Sequence, residues 1–197
     1  MTRIIAGSSG GRRLSVPPGT STRPTSDRAR EALFSTLEAL LGTLSGKRFL
    51  DLYSGSGAVG LEAVSRGASA ALLVDDDRRA LAALAANCAA VGGSAATVSS
   101  AAVERLVAGA GPADPYDVAF LDPPYVSDAT DVRDVLEQLR ANGWLAAGAV
   151  VVVERATRAG EWAWPPGFAP DRSRRYGEAT LWYGRAAASE PPPQARP

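Results

Sequence analysis

The chain has 197 residues, 46% of them hydrophobic and 21% charged, with 21 basic residues balanced by 21 acidic ones. That is one domain's worth at roughly 100–200 residues per domain, with the composition of a folded globular protein, so a wholly disordered chain is excluded. A single cysteine, Cys88, and the absence of histidine exclude an intramolecular disulfide, a zinc site and Ser-His-Asp chemistry.

Residues 1–24 hold short β-like pieces, Arg3-Ile4-Ile5 and Arg13-Leu14-Ser15-Val16, among four glycines and three prolines, and read as a hairpin-like arm. Thr25-Ser26-Asp27 offers capping side chains, and Leu33, Phe34, Leu37, Leu40, Leu41 and Leu44 trace one helical face to about Leu44, with Gly46 as its end. From Lys47 strands and helices alternate. Strands are expected over 48–53, 70–74, 95–99, 116–121 and 149–154, and helices over 58–66, 78–91 and 128–141, with a short one around Val103–Val107. Continuous apolar strands that alternate with helices imply a parallel sheet covered on both faces. Segments 168–176 and 178–183 flank Gly177 as a closing antiparallel pair, and a proline-rich tail follows from Ala186, expected to be disordered. The organisation expected is a basic arm and helix over 1–46, a main α/β domain over 47–185 and a tail over 186–197.

The balanced charge is unevenly spread. Residues 1–30 carry six arginines against Asp27, residues 31–171 are acidic, and residues 172–197 are again basic. Basic ends on an acidic middle suit a polyanion held at the edge of the fold, and solvated ends in an arginine-rich chain would look the same. The most apolar run, Trp144 to Val153, is short of the roughly 20 residues of a membrane span. The N-terminus also lacks a signal-peptide core, so a cytoplasmic protein is expected.

Three motifs carry chemistry. Asp51-Leu52-Tyr53-Ser54-Gly55-Ser56-Gly57-Ala58-Val59-Gly60 sits where a strand becomes a helix. Glycines there let the backbone approach a ligand and bring helix against strand. The loop fits a dinucleotide pattern as well, and a tight turn without a ligand is the plain alternative. Asp51 before it suits a cationic or hydroxyl-bearing ligand. Asp75 ends the next strand, where a carboxylate can accept both hydroxyl hydrogens of a ribose, while Asp77 is placed to cap the following helix. Asp122-Pro123-Pro124-Tyr125 ends the fourth strand of the alternating series. Open α/β sheets bind ligands at this end of their strands. The prolines lack N–H donors, so the turn can present bare carbonyls and the Asp122 carboxylate to an amino group, with Tyr125 as a stacking face for a base.

On these motifs the chain resembles the S-adenosylmethionine-dependent amino-methyltransferases. With Arg3-Ile4-Ile5-Ala6-Gly7, Gly11-Arg12-Arg13-Leu14, Arg23 to Glu31, Phe34 and Leu61-Glu62-Ala63, it resembles the RsmD type of 16S ribosomal RNA guanine-N2 methyltransferase over residues 3 to about 184. The resemblance implies a Rossmann-like class I methyltransferase fold: a mostly parallel seven-stranded sheet with helices on both faces, a C-terminal antiparallel hairpin and a small N-terminal β-like arm. It implies S-adenosylmethionine as methyl donor and a guanine of 16S rRNA in the small ribosomal subunit as substrate. No metal and a monomeric protein are expected. Asp122, Pro123, Pro124 and Tyr125 would then be catalytic. Asp51, Ser54, Gly55, Ser56, Gly57, Asp75 and Ser100 would bind the cofactor, with Ser100 or the backbone replacing the Asp or Asn that many relatives place near the adenine. Arg3, Arg12, Arg13, Arg23, Arg28 and Arg30 would meet RNA, with the cofactor cleft an alternative for Arg30. The competing readings are an adenine-N6 DNA methyltransferase, a protein-glutamine methyltransferase, and a non-catalytic RNA-binding assembly factor.

Overall fold

The structure, a computed structural model, describes residues 2–16, 26–124 and 127–187. Strands β1 (Thr2–Arg3) and β2 (Arg13–Leu14) form a small antiparallel hairpin. Helix α1 (Asp27–Leu41) follows, and Ser26 caps it by accepting the Ala29 N–H at 3.2 Å. The chain then alternates through β3 (Arg48–Leu52), α2 (Ala58–Ser65), β4 (Ala70–Val74), α3 (Arg78–Asn87), β5 (Ala96–Ser99), α4 (Val103–Val107), β6 (Tyr116–Leu121), α5 (Ala129–Ala141) and β7 (Leu145–Ala156). Strands β8 (Phe168–Tyr176) and β9 (Ala179–Ala186) close the fold.

Seven strands make one sheet in the order β5-β4-β3-β6-β7-β9-β8. The first five are parallel, and β9 runs antiparallel between β7 and β8. The order turns back between β3 and β6, and such a switch point opens a crevice at the carboxyl ends of the strands. Alternation divides the side chains between two cores. Phe49, Val118, Phe120, Val150, Val152, Leu181 and Tyr183 face α1, α2 and α3 through Leu33, Phe34, Leu37, Leu61 and Leu84. Leu50, Leu52, Ala119, Leu121, Val151 and Val153 face α4 and α5 through Val103, Val107, Val135, Leu136 and Leu139. Ile4 and Leu14 of the arm are buried in the first of these cores, so the arm is packed onto the domain.

The expected helix to Leu44 ends at Leu41, because Gly42 takes a left-handed φ of 79° and its N–H turns back to the Glu38 carbonyl. Leu44 keeps the apolar spacing because it folds into the core from beyond the helix. Strand β7 starts at Leu145, four residues before its expected start. An irregularity separates the Tyr116↔Leu145 and Val118↔Val150 pairs, and Gly148 (φ 75°) within it interrupts the apolar run. Strand β9 reaches Ala186, which the expected tail had claimed; residues 188–197 lie outside the described residues.

Candidate active site

The end of β3 carries the first carboxylate. Asp51 shares its sheet face with Phe49, is 1% exposed, and accepts the Gly60 N–H at 2.8 Å from the first turn of α2. Burial, opposed by that bond and helped by the charge of Asp75, pushes its carboxyl from 3.8 to about 7. The chain then turns sharply. Tyr53 has a φ of 59°, the single positive φ of a non-glycine among the described residues, and its hydroxyl donates to Glu104 at 2.7 Å. Gly55 and Gly57 follow with φ of 54° and 75°. A Cβ on Gly57 would overlap Leu84 and Leu73, so only glycine lets α2 start this close to α3 and β4.

Asp75 holds this loop from the end of β4. One oxygen accepts the Gly55 N–H at 2.7 Å and the other the Asp77 N–H at 2.9 Å. Asp77 caps α3 by accepting the Arg79 N–H, as its position in the sequence suggested. Since a carboxylate has about four lone-pair sites, Asp75 keeps capacity for two hydroxyl donors. Ser54 Oγ is buried without a hydrogen-bond partner among the described residues. Ser56 is buried, and Ser100 is exposed just beyond β5. A buried carboxylate with no cation beside it among the described residues, an unmatched hydroxyl and a loop closed by glycines fit a ligand that brings positive charge and hydroxyls.

Asp122 emerges from β6 next to this loop, and its N–H points to the Leu52 carbonyl at 3.4 Å. Burial, then the charges of Glu154 and Asp51, hold its carboxyl well above the usual carboxylate range. Pro123 is buried and Pro124 exposed, and the Pro124 carbonyl accepts the Ser127 N–H at 2.9 Å. Tyr125 lies outside the described residues. Asp122, Pro123, Pro124, Glu154, Arg155 and Arg158 line a cleft of about 320 Å³. Arg155 donates to the Ser127 carbonyl at 3.2 Å and so braces the turn. Glu154 and Arg155 were missed in the sequence, although Glu154 ends an apolar strand just as Asp122 does.

The predicted arginines divide. Arg3, Arg12, Arg13 and Arg28 are exposed, and Arg23 lies outside the described residues. Arg30 is fully buried, which corrects its assignment to RNA. Its Nη2 donates to Asp27 at 3.1 Å and to the Arg3 carbonyl, and its Nε lies 3.8 Å from Glu62. Glu62 on α2, also fully buried, accepts the N–H groups of Ile5 and Ala6 at 2.7 and 2.9 Å and Arg66 Nε at 2.9 Å. Asn87 at the end of α3 makes a second clasp. It accepts the Ser15 N–H and donates to the carbonyls of Ser15 and Ser56, all within 2.9 Å. These polar side chains sat in helical patterns, and no spacing rule reveals what a buried polar group reaches across the fold.

The sheet order, the glycine loop and the proline-locked turn at the switch point define a class I methyltransferase fold. The family model described as "Conserved hypothetical protein 95" matches residues 2–185. The chain is 36% identical over 189 residues, 95% of its length and 92% of the relative's, to the "Ribosomal RNA small subunit methyltransferase D" of Escherichia coli K12. It is 32% identical over 154 residues, 77% of each chain, to the protein of that name in Haemophilus influenzae. The solved structure of the yhhF protein of Escherichia coli superposes with a TM-score of 0.82 at 32% identity, over 95% of this chain and 98% of that one. The chain therefore belongs to this family, the RsmD-type methyltransferases that its motifs resemble.

Proposed function

We propose that the protein transfers a methyl group from S-adenosylmethionine to the exocyclic N2 of a guanine in 16S rRNA of the small ribosomal subunit. The observation that carries the reading is Asp122-Pro123-Pro124 at the switch point, one strand from the buried Asp51 and opening onto a cleft of about 320 Å³. The family relatives named for small-subunit rRNA methylation support the substrate class. In this reading Asp51, Ser54 and the loop of Gly55, Ser56 and Gly57 hold the amino-acid portion of the cofactor, Asp75 its ribose, and Ser100 lies toward the adenine. The cofactor supplies a methyl group on a positively charged sulfur. Among the described residues no cluster of three or more His, Cys, Asp or Glu could hold a metal, and no helix is long and apolar enough to cross a membrane. A cytoplasmic location follows from the substrate proposed.

A guanine amine is a poor nucleophile because its lone pair is delocalised into the ring. Asp122 and the Pro123 carbonyl accept the two N2 hydrogens and turn the lone pair toward the methyl carbon. The bound cofactor would supply the methyl carbon to N2, the electron pair of its C–S bond staying on sulfur, and Asp122 or solvent would take the surplus proton from N2. Burial and the neighbouring charges that raise Asp122 make it a better base for that proton. Alignment and electrostatics carry most of the catalysis. Tyr125 stacks on the base in this reading, and Arg3, Arg12, Arg13, Arg23 and Arg28 contact phosphates, which position RNA without reading its sequence.

The test uses labelled S-adenosylmethionine with small subunits from cells lacking this gene, beside naked rRNA. Label is expected as N2-methylguanosine, and Asp122→Ala is expected to reduce transfer by about 100-fold or more while cofactor affinity is kept. Label recovered as N6-methyladenosine, or binding of rRNA with no transfer at all, would replace this reading with one of its competitors.

A further inference from the structure

We propose that Glu154 reads the ring edge of the target base: its carboxylate accepts the N1–H of the guanine whose N2 amine is held by Asp122, and thereby excludes adenine. The proposal rests on the guanine reading above and supplies what that reading lacks. An Asp-Pro-Pro turn offers acceptors to any exocyclic amine, so it serves N6 of adenine as well as N2 of guanine. A second group must separate the two bases.

The sheet puts Glu154 in place for this. Leu121 of β6 is paired with Val153 of β7, so Asp122 and Glu154 follow on adjoining strands, which lie roughly 4.8 Å apart. Phe120 and Val152 face the same core as Phe49, and two residues further on Asp122 and Glu154 share that face with Asp51. Glu154 is near enough for its charge to act on Asp122, and these two are the carboxylates lining the cleft. Arg155, the next residue along β7, is turned to the Ser127 carbonyl and the Trp162 ring.

Guanine presents N1–H directly beside its N2 amine, a row of donors that matches two adjacent carboxylates. Adenine presents a bare N1 lone pair beside its amine, which would face the Glu154 carboxylate with no hydrogen between them. A site built to pair a polar group rejects strongly the analogue that leaves it unpaired. A carboxylate has about four lone-pair sites, so accepting N1–H is compatible with the contacts Glu154 makes inside the protein.

The experiment first maps the N2-methylguanosine that the wild-type protein forms on small subunits. If none forms, the guanine reading falls and the role of Glu154 with it. Subunits are then reconstituted with 2,6-diaminopurine at the mapped position, which keeps the N2 amine but has a bare N1. The wild-type protein is expected to methylate it about 100-fold or more slowly than guanine. Glu154→Gln can donate an amide N–H to that bare N1. It is expected to lose about 10- to 100-fold in kcat/KM on guanine and to narrow or reverse the base preference, with KM for the cofactor unchanged. A Glu154→Gln protein that methylates and keeps the wild-type preference would overturn the proposal. So would wild-type protein that methylates both bases equally, an outcome that needs no variant to fold.

Discussion

Replacing Asp51 by Asn tests the electrostatics of the cleft without changing its shape. Asp51 is buried, its one hydrogen bond among the described residues is from the Gly60 N–H, and its carboxyl is raised from 3.8 to about 7, first by burial and then by Asp75. The folded state therefore binds a proton that the unfolded chain has already released. The stability this confers is fully present below about pH 3.8 and is lost as pH rises through about 7. At about 1.4 kcal/mol per pKa unit the whole effect is on the order of 4 kcal/mol, of which roughly 3 kcal/mol falls between pH 5 and pH 8. Asn keeps an oxygen for the Gly60 N–H and cannot titrate. Urea unfolding at the two pH values should show the wild-type protein losing roughly 3 kcal/mol more than Asp51→Asn on going to pH 8. Equal losses in the two proteins would refute the reasoning. The same group links protons to ligand binding. A cationic ligand against Asp51 favours its ionised form, so S-adenosylmethionine binding at pH 6 should release close to one proton, about nine-tenths of one from a group titrating near 7. Calorimetry in buffers of different ionisation enthalpy would register that release, and Asp51→Asn should lack it.

Three other outcomes follow from the clasps and the arm. Asn87→Ala removes three hydrogen bonds, one of them buried, that join the arm to the glycine loop; a loss of about 2–4 kcal/mol in chemical unfolding is expected, with faster proteolysis near Ser15. Glu62→Gln leaves the buried Arg30 charge without its ionised partner on α2 and should cost about 3–5 kcal/mol, read as a lowered Tm at constant pH. Arg13→Ala and Arg28→Ala, at exposed positions, should each lower the slope of log binding constant against log salt for rRNA by about 0.7–0.9, with cofactor affinity unchanged.

Much of the fold was legible because the central strands are largely apolar and the turns are marked. Tyr116–Leu121, stopped by Asp122-Pro123-Pro124, and Ala70–Val74, stopped by three aspartates, fall where the sequence places them. Local chemistry also located the loop from Asp51 to Gly60 and the Asp77 cap. The misreadings share a cause. Leu44 belongs to the apolar pattern of α1 but joins the core from outside the helix, and Arg30 lies in a basic run but is turned inward. A one-dimensional pattern gives the spacing of side chains on an element and not the element on which they land. Glu154 became visible only when register and face parity set β7 beside β6.

The arm shows what that long-range pairing does for the site. Its basic residues suggest a hairpin-like arm for RNA, and side chains of α1, α2 and α3 hold its backbone along its length. The Glu62 carboxylate takes two consecutive N–H groups at residues 5 and 6, and the Asn87 amide pairs with both backbone polar groups of Ser15. Apolar packing of Ile4 and Leu14 alone would tolerate sliding, whereas hydrogen bonds are directional and satisfy Glu62 and Asn87 at one placement. Asn87 also grips Ser56 in the glycine loop, and Glu62 sits on α2, the helix whose first turn binds Asp51 through Gly60. The arginines at positions 3, 12 and 13 are thus carried on the same frame as the carboxylates of the cleft. RNA held by that arm would meet Asp122 and Glu154 at a fixed offset, as alignment-driven methyl transfer requires.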